Sequence, residues 1–241
     1  MDETVVADLE ALATGLADPD ADLDALDVLE ARVLAVRDAA LVPALEAHLA
    51  AAAEARGWYA RAVLARILVR TAGRASLPAL LRAHARDLGD DQDSLTTGLT
   101  CLAEEDPASA RALLLPWTLD PDPDPDPELR RTAFWLLDHV RHASDVERLV
   151  RAAADPDEGV RRTVAGALTG HCGTDPRAVV VLTGLLSDAS PRVRISALSS
   201  LGFARRPETL PAIRRLADDA DETVRRWVTI ALARFLAGGV N

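Results

Sequence analysis

Apolar residues recur three and four positions apart along most of this chain, the spacing of one helix face. Short Asp-, Gly- and Pro-containing stretches interrupt them at regular distances. The clearest unit starts at Ser190-Pro191, with Val193, Ala197, Leu198 and Leu201 on one face; Gly202 and the Arg205-Arg206-Pro207 turn are expected to end it. A second helix follows from Glu208 to about Ala217, with Leu210, Ile213 and Leu216 inward. The same reading predicts first helices over 25–38, 58–72, 93–105, 127–141, 158–171 and 190–203. It predicts second helices over 41–55, 75–88, 107–119, 144–154, 175–187 and 207–217. A helix at the N-terminus (Val5, Leu9, Leu12, Leu16) and an unpaired one over 221–237 would close the ends.

Polar positions carry a second period. An aspartate, five residues and then an arginine recur as Asp124 to Arg130, Asp155 to Arg161, Asp188 to Arg194 and Asp219 to Arg225. The arginines stand 31, 33 and 31 residues apart, each behind Leu129, Val160, Val193 or Val224. Such self-similarity predicts an all-α stack of helix pairs, each burying its apolar face against its neighbours. A proline column supports the register: Pro43, Pro78, Pro116 and Pro211 align with Glu147 and Val180. Proline is tolerated there because the first amides of a helix lack helical partners.

The run Leu185-Leu186-Ser187-Asp188, Val193-Arg194, Ala197-Leu198, Leu201-Gly202 resembles the HEAT repeat, in the bacterial variety also seen in phycobilisome-lyase-like proteins. The likeness is strong over 119–236 and degenerate over 25–118. It implies a right-handed α-solenoid of about six to seven helix pairs, with second helices lining the concave side. It also implies an inter-repeat ladder at the turns, carried by Asp124, Arg130, Asp155, Arg161, Asp188, Arg194, Asp219 and Arg225. As surface ion pairs these would contribute about 0–1 kcal/mol each and act mainly on turn geometry. The expected organisation is one solenoid over 1–241: an acidic N-terminal helix or cap (1–24), degenerate repeats (25–118), a connector (119–127) and regular repeats (128–237). In the connector, proline at every second position from Pro121 blocks helix and favours a stiff spacer. Its alternating aspartates lack the glycine and terminal glutamate of a calcium loop.

Composition narrows the chemistry. Hydrophobic residues make up 49% and aromatics 3%, so Ala, Leu and Val must form the core. All 27 basic residues are arginine, which excludes a Schiff-base lysine and a Gly-Lys-Ser/Thr phosphate loop. This Lys-free, Ala- and Arg-rich bias suggests a GC-rich bacterial genome. Residues 1–30 hold ten acidic groups and no basic one, so most of the net charge of −11 is N-terminal; it reads as a solubilising end or a surface for a basic partner. Cys101 and Cys172 fall in different repeats, and no secretory signal or apolar span is evident, so a reduced cytoplasmic protein is expected.

Candidate sites are few. His139, His142, His171 and Cys172 are a weak metal candidate, since the repeat period brings His171 back toward His139 and His142; zinc would accept such ligands. The bland reading is histidine at a helix C-terminus, favoured by the dipole, and no metal or other cofactor is expected. On the second helices, the positions one and four residues after the proline column select Arg82, Trp117, Arg148, Arg151 and Arg215. Arg and Trp are the residues that most often anchor interfaces. The expected function is therefore a non-enzymatic scaffold or adaptor that binds a protein or peptide with an acidic or amphipathic segment in an arginine-lined groove. One alternative is a nucleic-acid binder related to HEAT-like DNA glycosylases, disfavoured by 17 Arg against 14 Asp/Glu from residue 128 onward. Another is a lyase-like or chaperone-like accessory factor for a client protein. The chain is expected to be a monomer, or a homodimer through its C-terminal helix, where Leu232, Phe235 and Leu236 lack a second helix.

Overall fold

The computed structural model describes residues 3–86, 93–118 and 126–237, and every regular element among them is helical. The helices are α1 (Glu3–Leu16), α2 (Leu23–Val36), α3 (Val42–Glu54), α4 (Trp58–Ala72), α5 (Leu77–Ala85), α6 (Asp93–Glu105) and α7 (Pro107–Thr118). They continue with α8 (Pro127–His139), α9 (Asp145–Ala152), α10 (Glu158–Leu168), α11 (Pro176–Leu185), α12 (Pro191–Ala204), α13 (Leu210–Arg215) and α14 (Glu222–Ala237). The fold is an all-α solenoid of helix pairs. First helices run close to their expected ranges, whereas second helices are shorter. The extreme case is α13, whose six residues sit between 3-10 turns at Pro207–Thr209 and Leu216–Asp218. Proline at the second helical position of α3, α5 and α13 removes an amide proton that the first turn does not need.

The chain divides into two compact units, Met1–Leu113 and Leu114–Asn241. In the first, α2, α4 and α6 are successive neighbours and α3 packs on α5, while α1 lies on α2. Its core is leucine-rich: Leu9, Leu12, Leu41, Leu45, Leu64, Leu68 and Leu80 are buried. In the second unit α8, α10, α12 and α14 stack in one row, and α9 packs on α11. Phe134, Val160, Val164, Leu168, Leu182, Val193, Leu198, Leu201 and Val224 form its core.

Small residues let the first helices of the second unit approach closely. Ser200 Oγ donates to the Ala165 carbonyl at 2.8 Å, and Ser196 Oγ to that of Arg162 at 2.9 Å. Gly202 does not end α12, which continues to Ala204 before Arg205 turns the chain with φ 50°. Instead, a Cβ at Gly202 would lie 3.1 Å from the Ala231 Cα of α14, so glycine permits the contact. At the chain end, Leu232 and Phe235 pack partly on the core, whereas Leu236 is exposed.

The turns are built from aspartate. Asp126, Asp157 and Asp175 cap α8, α10 and α11 by accepting backbone N–H groups. Asp155, Asp188 and Asp219 accept the amides of Asp157, Ser190 and Asp221 two residues on, which folds the turn before each first helix.

Candidate functional site

The repeated arginines reach into the following repeat. Arg130 donates through Nε and Nη2 to both carboxylate oxygens of Asp155, at 3.0 and 2.9 Å. Arg161 pairs in the same way with Asp188, and Arg194 Nη2 donates to Asp219 Oδ1 at 2.7 Å. Asp124 lies outside the described residues. These pairs differ from the surface bridges expected. Side-chain exposures are 7% and 8% for Arg130 and Asp155, 16% and 9% for Arg161 and Asp188, and 13% and 7% for Arg194 and Asp219. Stacking of successive turns covers them, which the linear spacing does not reveal. The Arg161 guanidinium holds the Asp188 carboxyl below the usual range. Burial by itself would raise Asp219, but the Arg194 bond and the Asp221 amide leave it lowered. With their charges satisfied inside the stack, these arginines and aspartates offer little to a partner.

The five interface candidates separate into two classes. Residues one position after the proline column are half-buried in each case: Ala79, Trp117, Arg148, Val181 and Ala212. Residues four positions after it are exposed: Arg82, Arg151, Gly184 and Arg215. The three-residue spacing turns the second class about 60° away from the first on a helix of 3.6 residues per turn. Arg148 Nη1 donates to the Leu115 carbonyl and to Thr118 Oγ1, both at 3.2 Å, and so ties α9 to the end of α7. In the second unit the exposed class runs Arg151 on α9, Gly184 on α11 and Arg215 on α13, with exposed Val180 and Arg214 beside it. Arg82 holds the corresponding position on α5 of the first unit.

The histidines and the buried cysteine are engaged separately. His139 Nδ1 contacts the Trp135 carbonyl at 3.1 Å, and its ring meets Trp135 edge-on at 4.7 Å. His142 Nδ1 lies 2.8 Å from Ser144 Oγ, while its amide donates to buried Asp145. His171 is buried, and burial together with the Arg141 charge lowers its pKa, favouring the neutral ring. It lines a cavity of about 10 Å³, room for about one water, with Asp145 and Arg148. Cys172 Sγ donates to the Leu168 carbonyl at 3.4 Å, and burial raises its thiol pKa. Among the described residues no three His, Cys, Asp or Glu side chains gather into a metal-holding group. The weak candidate set His139, His142, His171 and Cys172 is not gathered into such a group.

Trp58 is 53% exposed. Gly57 caps α4, so Trp58 is its first residue and has no preceding turn to lie against. That position was legible as Gly-Trp at a helix start, but the apolar wall around it was not.

Repeats of the HEAT type match residues 117–188 and 180–239, together just over half of the chain. No curated protein matches the sequence. Among solved structures, the complex of CpcE and CpcF of phycocyanin lyase from Nostoc sp. PCC7120 is 20% identical, over 66% of this chain and 98% of that one, with a TM-score of 0.52. Human deoxyhypusine hydroxylase is 17% identical over 98% of each chain at a TM-score of 0.44. A designed armadillo repeat protein in complex with a (KR)4 peptide is 18% identical over 94% of this chain and 99% of that one, at 0.45. The likeness to the CpcE–CpcF complex is one of fold. By its repeats and its stacked helix pairs, this chain belongs to the HEAT-repeat family.

Proposed function

We propose that the chain is a non-enzymatic scaffold or adaptor that binds a protein or peptide on its second helices through exposed arginines. The observation that carries this reading is the division of the arginines into two populations. Arg130, Arg161 and Arg194 are neutralised inside the stack, while Arg151 on α9 and Arg215 on α13 stand exposed at equivalent positions, with Gly184 of α11 between them. A column of guanidinium groups beside exposed Val180 suits an acidic or amphipathic helix laid along it. Trp117 and Arg148 form the half-buried base of this face, and Arg82 extends the same chemistry in the first unit. Interface arginines matter most where they become desolvated, so the exposed column outranks Arg148 as the anchor.

The test is affinity capture from the host followed by charge reversal at Arg151 and Arg215. Both side chains are exposed, so the Arg151→Glu/Arg215→Glu chain is expected to keep its melting behaviour and lose its captured partner. Unchanged capture would move the site off this face. Competition by duplex DNA at low salt, lost at moderate salt, would favour nucleic acid instead.

A further inference from the structure

A cleft of about 540 Å³ opens in the first unit between the α1–α2 turn and the start of α4. Its apolar walls are Leu16, Pro19, Leu23, Trp58 and Tyr59. Leu23 is 59% exposed and Trp58 53%, an uncommon cost for two large apolar side chains on one small surface. Tyr59 meets Trp58 edge-on at 5.7 Å and braces its ring. The volume lies within the range of about 300–1,000 Å³ typical of ligand pockets.

Asp18 is the charged residue of the lining, and it belongs to an aspartate-rich segment. Asp18, Asp20, Asp22, Asp24 and Asp27 are exposed, and residues 17–27 include no basic residue. Asp18 and Asp22 accept only backbone amides, from Asp20 and Asp24, and these bonds leave their negative charge in place. Arg32 lies 3.6 Å from Asp8, and Arg66 Nη2 donates to Glu30 at 2.6 Å while its charge is also felt by Asp27 and Tyr59, so Asp18, Asp20, Asp22 and Asp24 are the aspartates left to a partner. Two arginines flank the lining segment 57–60 in sequence: exposed Arg56 and buried Arg61. Apolar walls beside this aspartate-rich turn complement a segment with a large apolar side chain between cationic ones.

We propose that this cleft is a second docking site, which takes a basic peptide segment of a partner protein and seats one aromatic or aliphatic anchor against Trp58, Leu16 and Leu23. It is chemically opposite to the arginine column and does not depend on it. The aspartates draw in and orient the basic residues, and the buried anchor provides most of the affinity.

The probe is a set of fluorescein-labelled peptides, Arg-Arg-Gly-X-Gly-Arg-Arg with X as Trp, Leu or Ser, titrated with the full chain by fluorescence anisotropy. The Trp and Leu peptides are expected to bind about tenfold or more tightly than the Ser peptide, the order expected for one buried apolar side chain. Trp58→Ser should remove that preference. Asp18→Asn/Asp20→Asn keeps the amide acceptors on an exposed turn; it should weaken all the peptides and reduce their salt dependence. Arg151→Glu/Arg215→Glu should leave binding unchanged, which separates this site from the arginine face. Absence of binding by the Trp and Leu peptides overturns the proposal. So do equal binding of the Ser peptide, indifference to Trp58→Ser, or a change on reversing Arg151 and Arg215.

Discussion

Arg161 holds two repeats at once through Asp188. Its Nε donates to Asp188 Oδ2 at 2.7 Å and its Nη2 to Oδ1 at 3.0 Å, while Nη1 turns back to the carbonyls of Asp155 and Pro156 at 2.8 and 3.0 Å. Arg194 repeats the arrangement one unit on, with the Asp188 and Ala189 carbonyls behind it and Asp219 ahead. Each arginine thus closes its own turn and clips the next. Arg225 makes the backward bonds, to the Asp219 and Ala220 carbonyls, at the turn before α14.

Loss of one partner should therefore cost far more than a surface ion pair. Asp188→Asn keeps the side-chain shape but leaves the Arg161 guanidinium poorly neutralised in a covered site. The expected destabilisation is about 2–4 kcal/mol, below the full cost of stranding a deeply buried charge because the site is only partly enclosed. Urea denaturation followed by circular dichroism measures it. A change under about 0.5 kcal/mol would place the pair with ordinary surface bridges.

The same pairs predict an acid limit. The Asp188 and Asp219 carboxyls have lowered pKa values in the folded chain, so the folded state favours their charged forms. Their stabilisation is complete above the unfolded value of about 3.9 and is lost as pH falls through the lower folded values. The stability gap between the parent chain and Asp188→Asn should hold from pH 7 to about pH 5 and narrow below about pH 4. A gap independent of pH down to acid unfolding would remove the electrostatic account.

Gly202 sits against α14, with Ala231 Cα 3.1 Å from the position of a Cβ. Gly202→Val must push the helices apart, and about 1–3 kcal/mol of destabilisation is expected despite the better helix propensity of a side chain. Hydrogen exchange should localise the loss to α14. Uniform loosening of the whole chain would argue against a local clash.

The two thiols should differ sharply in reactivity. Cys101 is exposed, whereas Cys172 is buried with a raised pKa and a bond to the Leu168 carbonyl. A thiol-specific reagent should modify Cys101 rapidly in the native chain and reach Cys172 only on unfolding. Rapid double labelling of native protein would show that the second unit opens readily near α10.

Much of this protein was determined by the sequence alone. The recurrence of Arg130, Arg161, Arg194 and Arg225 set the period of the stack, because each repeat must bury its apolar face on a similar neighbour. The three-and-four spacing of Val193, Ala197, Leu198 and Leu201 placed α12 and its buried face, since helix geometry is local. Tertiary structure decided what that periodicity leaves open. Whether Arg161 pairs with the aspartate behind it or the one ahead depends on how turns stack. Whether Gly202 ends a helix or admits a neighbour depends on α14. The separation of half-buried Arg148 from exposed Arg151 depends on α7, whose end receives the bonds of Arg148. Trp58 shows the same limit: its place at a helix start is local, but its cleft exists only because residues 16–23 fold beside it. Periodicity specifies which residues share a face, and packing specifies what that face meets.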